Sequence, residues 1–365
     1  MRLLLYITCT RARGVMEIRD QLIKYLAFGW VLFSLWSCQH VPEHQPDNSF
    51  TFVKPPHFPE ATYTLDKNPI TEQGVALGRK LFFDPILSRD NSVSCNNCHQ
   101  QSRAFADSPL HPTSIGVDSK FGIRNAPSLA NMAFLKEFFW DGGVTHLDFV
   151  PINAIESQVE MDEKLAHVVE KLNAREEYRQ MFKLAFGIDE ITSPYMLQAL
   201  SQFTALMISA DSKYDRYVLY GEALSANELR GLELFEQKCA SCHSGELFSD
   251  QTYRNNGLST VFGDEGRARI TESSEDIGKF RVPSLRNAAI TGPYMHDARF
   301  KTLLQVLDHY DGLMVGSSTL DPSFKNGNEV VGIPLTEEEK AKIIDFINTL
   351  TDYTFISDDR FRNHD

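Results

Sequence analysis

Cysteine is scarce in this chain, with six in 365 residues. Cys9 and Cys38 fall near the start, and the other four form two close pairs, Cys95 with Cys98 and Cys239 with Cys242. Pairs in a zinc ribbon stand about 15–20 residues apart, whereas these are separated by well over a hundred, which argues against structural zinc. A thioredoxin-like dithiol needs a βαβ pattern around it, and that pattern is missing. Long apolar runs are missing too: the run from Tyr25 to Trp36 falls short of the ~20 residues that a membrane span requires. Positive charge is in deficit, 36 Lys and Arg against 49 Asp and Glu, a net charge of −13. Such a surface argues against nucleic-acid binding and suits a basic soluble partner.

Arg19 and Lys24 precede the short apolar run, which ends in Leu35-Trp36-Ser37-Cys38. Residues 1–38 therefore read as an export signal, with Met16 an alternative start. The closing tetrad resembles a bacterial lipobox, whose Cys becomes the lipidated first residue; a plain cleaved signal with an incidental Cys is the other reading. The expected location is the periplasm, with a lipid on Cys38 as the membrane anchor. Removing residues 1–37 takes away five basic and two acidic side chains and leaves a net charge of −16.

Each cysteine pair is followed at once by histidine: Cys95-Asn96-Asn97-Cys98-His99 and Cys239-Ala240-Ser241-Cys242-His243. This is the spacing of c-type haem attachment, two thiols forming thioethers and the adjacent His lying under the iron. Two such motifs in an exported chain, with no cysteine left over outside the leader, predict two covalently bound haem c groups.

The chain repeats itself around these motifs. Arg124 to Asn131 corresponds to Arg281 to Asn287, and an Asp stands 14 residues after each matching Pro: Asp141 after Pro127, Asp297 after Pro283. In this register Trp140 lies opposite His296. Capping patterns at Thr71, at Ser225 with Glu228, and at Thr336 with Glu339 open helices. After Ser225, Leu229, Leu232 and Phe235 should share one face. Asp162–Phe186 and Pro194–Leu219 read as amphipathic helices, and Thr252–Ile277 as a long loop. The expectation is an all-α protein of two tandem cytochrome c-like haem domains, 39–222 and 223–365, the last helix packing on the first domain.

The two CxxCH motifs, with RNAPSL, FFWDGG, VEM, FRVPSLRN and TGPYMHD in this order between Asn68 and Leu350, resemble the bacterial di-haem cytochrome c peroxidases and their relative, the di-haem enzyme of methylamine utilisation. The resemblance implies that the His99 haem reacts with peroxide, that the His243 haem receives electrons, and that Trp140 lies between them. It implies a catalytic acid/base at Glu160, which can carry a proton between the two oxygens of a bound hydroperoxide. It also implies a calcium ion held by Asn125, Thr291 and Pro293. Electrons would come from a small cytochrome c or a cupredoxin, and the chain would form a homodimer.

Three departures from that pattern matter. Members that need reductive activation carry a blocking His after Ser-Ile-Gly, where this chain has Val117. Val cannot ligate iron, so the first haem is expected to be permanently open, with His111 an ordinary loop histidine. Val150 replaces a distal Gln, and Gly143 replaces an Arg. At the second haem, the peroxidases place a Met 14 residues past His296, where this chain has Tyr310, as the methylamine-utilisation enzyme does. Tyr310, rather than His309 or Met314, is the expected sixth ligand, although Leu303, Leu304, Val306, Leu307 and Tyr310 also space as one apolar helix face. Three functions remain in play: peroxide reduction, oxidation of a partner protein's residues, and non-enzymatic electron transfer with both irons six-coordinate.

Overall fold

In the computed structural model, residues 50–111 and 113–364 are described; Cys38, Met16 and the rest of the expected leader lie outside them. The described chain is mostly helical: α1 (Glu72–Phe83), α2 (Cys95–Cys98), α3 (Val150–Glu156), α4 (Leu165–Asn173), α5 (Glu176–Phe186), α6 (Ser193–Ala205), α7 (Lys213–Tyr220), α8 (Ala226–Lys238), α9 (Ala268–Thr271), α10 (Leu303–Asp308), α11 (Glu337–Asn348) and α12 (Tyr353–Ser357). Its strands are two-residue pairs, β1 (Tyr253–Arg254) with β2 (Phe280–Arg281) and β3 (Lys325–Asn326) with β4 (Glu329–Val330), all antiparallel. The all-α class is as expected. Among the described residues, no helix is long and apolar enough to cross a membrane.

The three capping patterns open helices where the sequence placed them. Thr71 Oγ1 accepts the Gly74 N–H at 3.0 Å, Ser225 Oγ accepts that of Glu228 and Thr336 Oγ1 that of Glu339. Each such cap contributes about 1 kcal/mol.

The two long amphipathic segments do not run through. The first breaks at Ala174 and Arg175 into α4 and α5, where the Asn173 amide is spent on Ile191, donating to its carbonyl at 2.9 Å and accepting its N–H at 3.0 Å. The second breaks between α6 and α7, because the Ser209 and Asp211 N–H groups bond to Asn131 Oδ1 and Asp352 Oδ2 rather than to their own helix. Both bonds join residues far apart in sequence, beyond the reach of a periodicity argument. In α8, Leu229 lies exposed, and the buried face is Gly231, Leu234 and Phe235.

The duplication read from the sequence recurs in the packing. In the first half α1 crosses α6 so closely that a Cβ on Gly78 would overlap the Ala199 carbonyl; in the second, α8 crosses α11 and a Cβ on Gly231 would overlap that of Lys342. Glycine lets the backbones approach. Phe82, Phe105 and Phe203 fill the first crossing, with ring centroids 5.9 and 5.4 Å from Phe82. Phe235, Phe248 and Phe346 fill the second, at 5.8 and 5.0 Å from Phe235. Truncating one such buried ring costs about 3–5 kcal/mol. Asn131 and Asn287 take matching left-handed conformations, φ 65° and 61°. They receive matching bonds, from the Ser209 N–H at 2.9 Å and the Asp352 N–H at 2.8 Å. Beyond α11 the chain returns to the first core, where Phe355 and Phe361 pack against Phe105.

Candidate active site

Helix α2 is a single turn, which puts Cys95 and Cys98 on one side of it. Asn97 Oδ1 accepts the Ser94 N–H at 2.9 Å and secures its start. All four cysteines of the motifs are unpaired. Burial pushes the Cys95, Cys98 and Cys239 thiols up to about 12, the opposite of a reactive dithiol, whose attacking thiol is lowered. Among the described residues no group of three or more His, Cys, Asp or Glu is placed to hold a metal ion.

Each motif histidine is set up as an iron ligand. His99 Nδ1 bonds to the Phe105 carbonyl at 2.8 Å, and His243 Nδ1 to the Phe248 carbonyl at 3.2 Å. A carbonyl only accepts, so Nδ1 carries the proton and Nε2 keeps its lone pair free for a metal. Burial holds both imidazoles below the ordinary histidine range, in the neutral form that ligation requires. A cavity of about 210 Å³ lies beside Cys242 and His243, lined also by Trp140, Met295, His296 and Tyr310. Paired thiols, a fixed tautomer and an apolar cavity suit covalent haem c.

Trp140 stands where the two halves meet. Its indole N–H donates to the Asn125 carbonyl at 2.8 Å. Its own carbonyl accepts the Arg281 N–H at 2.8 Å, and the matching bond runs from the Asn125 N–H to the His296 carbonyl at 2.7 Å. The aligned positions Trp140 and His296 are thus tied across to the opposite half by the same backbone bond.

Glu160 lies in the turn after α3, not at a solvated helix start. Burial raises its carboxyl above the ordinary glutamate range, with the Ser157 hydroxyl pulling the other way. Its charge is felt at the Cys98 thiol. The Ser114–Val117 segment lies directly on it: the fully buried Val117 donates its N–H to the Glu160 carbonyl at 2.8 Å. A Cβ on Gly116 would overlap the Val159 and Glu160 carbonyls. The position that holds a blocking histidine in activated relatives therefore packs against the carboxylate residue. His111 is bound locally, Nδ1 to the Thr113 carbonyl at 2.8 Å. Val150 packs with the Phe134 and Leu147 cluster, and the Gly143 N–H bonds to Asp141 Oδ1.

Asn125 and Pro293 come together, but the Asn125 amide donates to the Pro293 and Met295 carbonyls at 2.7 and 3.3 Å. Thr291 lines the same cavity. These neutral oxygens are few beside the 6–8 that calcium takes.

In residues 306–312 the ordinary helix ends at Asp308. Residues His309–Leu313 form a π-helical turn, a widening found often at functional sites. Lys340 braces it, its Nζ 2.8 Å from Asp308 and 3.0 Å from Asp311. Tyr310 points into the cavity beside His243, its hydroxyl pushed up to about 12 by burial. His309 is buried with Nε2 on the Asn256 carbonyl at 2.9 Å, and Met314 packs with Leu320 and Phe324; neither lines that cavity. Leu304 is exposed, so the supposed apolar face is interrupted. The sequence reading passed over Asn256 and Met295, both on the cavity wall. Met295 stands next to the aligned His296, which was a faint pointer; Asn256 had none.

Residues 72–224 match the family model described as di-haem cytochrome c peroxidase. The chain is 35% identical to the methylamine utilization protein MauG of Methylorubrum extorquens, over 80% of this chain and 82% of that protein. It is 32% identical to the cytochrome c551 peroxidase of Pseudomonas aeruginosa, over 84% and 86%. Among solved structures it is similar to a MauG-like protein associated with microbial copper homeostasis, with a TM-score of 0.78 at 31% identity, covering 86% of this chain and 99% of that one. The chain belongs to the di-haem cytochrome c peroxidase family, whose members carry haem c.

Proposed function

We propose that this protein reduces hydrogen peroxide to water, one peroxide taking two protons and two electrons to give two waters. The electrons arrive singly from a small exported cytochrome c or cupredoxin. In this reading the chain has two haem domains, 39–222 and 223–365, and is held at the membrane by a lipid on Cys38. Cys95 and Cys98 would hold a haem covalently with His99 as its iron ligand, and that iron would supply the peroxide chemistry.

The observation that carries the reading is the fully buried Val117 at the position where a blocking ligand would stand, its N–H on the main-chain carbonyl of the half-buried Glu160 at 2.8 Å, whose carboxyl burial raises. Glu160 takes the proton from the inner oxygen and returns it to the outer one, so that the O–O bond breaks with water as leaving group. Trp140, hydrogen-bonded in place at the junction, is the relay between the two sites. Tyr310, which lines the same cavity as His243, would serve with it as a ligand to the iron of the second haem. Calcium, if bound, requires the Asn125 amide to turn its oxygen toward the Pro293 carbonyl.

The test is steady-state peroxide turnover by the oxidised holoprotein with reduced cytochrome c and no prior reduction. Turnover is expected, with one high-spin and one low-spin haem by electron paramagnetic resonance. No turnover, together with no spectral change on adding peroxide, refutes any peroxide-driven reading and leaves an electron carrier.

Tyr310 favours a second reading, in which peroxide drives oxidation of a residue on a partner protein. A phenolate stabilises ferric iron relative to a thioether, and MauG is among the relatives. Fast spectral change with peroxide but negligible turnover with small donors would select it.

A further inference from the structure

We infer that Asn256 fixes and tunes Tyr310 as the ligand of the second haem, an inference that rests on the proposed ligation by Tyr310. Asn256 Nδ2 lies 3.2 Å from the Tyr310 hydroxyl oxygen and 3.5 Å from Met295 Sδ. A thioether sulfur only accepts, so the NH₂ end of the amide faces the cavity and its two hydrogens serve these two atoms. The Asn256 main-chain carbonyl also takes the bond from His309 Nε2 at 2.9 Å. One residue therefore holds both His309 and Tyr310, the first two positions of the π turn.

Asn256 is itself held by the chain that leaves that turn. Its neighbour Asn255 donates through Nδ2 to Ser317 Oγ and Thr319 Oγ1 at 2.9 and 2.8 Å. The Asn255 carbonyl accepts the Asp321 N–H at 3.0 Å, and the Gly257 carbonyl accepts that of Val315 at 2.9 Å. The segment before the turn and the segment after it thus form one bonded unit around the Tyr310 oxygen. A hydrogen bond donated to an anionic ligand draws electron density from it, weakens its donation to ferric iron and raises the potential. Asn256 is a positioning residue: it acts through Tyr310 and touches no substrate.

The test is a double-mutant cycle on the holoprotein with Asn256→Leu, Tyr310→Phe and the pair, read by the low-spin haem spectrum and the midpoint potential of that haem. Asn256→Leu should keep the low-spin haem and lower its potential. Tyr310→Phe should change the low-spin spectrum, and adding Asn256→Leu to it should shift the potential no further. Should the leucine variant not carry two haems, Asn256→Ala removes the same donor with less bulk and has the same expected outcome. An unchanged potential in the single variant, or an equal shift in both backgrounds, overturns the inference while leaving Tyr310 as ligand. An unchanged spectrum in Tyr310→Phe removes Tyr310 itself, and the inference with it.

Discussion

Arg281 donates its main-chain N–H to the carbonyl of Trp140 at 2.8 Å, and Asn125 makes the matching bond to His296. The two halves of the protein are therefore joined by reciprocal backbone bonds at the residues that the sequence duplication aligns. Backbone bonds do not depend on side-chain identity, so one half can carry Trp and the other His at this point while the joint stays the same.

Trp140→Phe keeps the joint and an aromatic ring but removes the indole bond to Asn125. The loss is about 1 kcal/mol of stability, seen as a small fall in Tm. Haem content and both haem spectra should be unchanged while peroxide turnover slows. Unslowed turnover would remove Trp140 from the electron path.

Val117→His places an imidazole at a fully buried position whose backbone is bonded to that of Glu160. Overpacking costs about 1–3 kcal/mol, and the first haem should convert from high-spin to low-spin in the oxidised protein. Turnover should then need prior reduction. A first haem that stays high-spin would mean that position 117 does not face the iron.

Because burial raises the Glu160 carboxyl, protonation removes the base at a higher pH than for an ordinary glutamate. The value of kcat/KM for peroxide should therefore fall as pH drops through that raised value. Glu160→Gln should lower turnover by roughly 10²–10⁴-fold and abolish this acid limb, with haem content intact. A pH profile identical in the variant and the native protein would assign the limb to another group.

Asp215 accepts two parallel hydrogen bonds from Arg286 in a buried ion pair, at 2.8 and 2.8 Å, and accepts a third from Ser212. Burial alone would raise its carboxyl, but Arg286 and Ser212 outweigh it and bring the value down to about 2. The stability it contributes is present above the ordinary aspartate range and lost as pH falls through about 2. Asp215→Ala leaves Arg286 buried without its partner and should cost about 3–5 kcal/mol, measured by denaturant unfolding at neutral pH. A loss under 1 kcal/mol would mean that water replaces the carboxylate.

What could be read from the sequence is what contiguous residues encode. Cys95-x-x-Cys98-His99 and its partner set the spacing for haem attachment on one helical turn, and the caps at Thr71, Ser225 and Thr336 act through bonds three residues long. The duplication was legible because both copies lie in one string. The breaks within 162–186 and 194–219 were not, since Asn173 with Ile191 and Ser209 with Asn131 are bonds between distant segments. Nor was the partial burial of Glu160, against which the Gly116–Val117 backbone lies, or the place of Asn256 beside Tyr310 and Met295. The sequence by itself determined the haem-attachment motifs, the repeat and the helical class, because covalent spacing and periodicity are local. Only the tertiary structure decided that Glu160 is partly withdrawn from water, which of Tyr310, His309 and Met314 reaches the cavity, and what donates to it, because burial and hydrogen-bond partners are set by segments far apart in the chain.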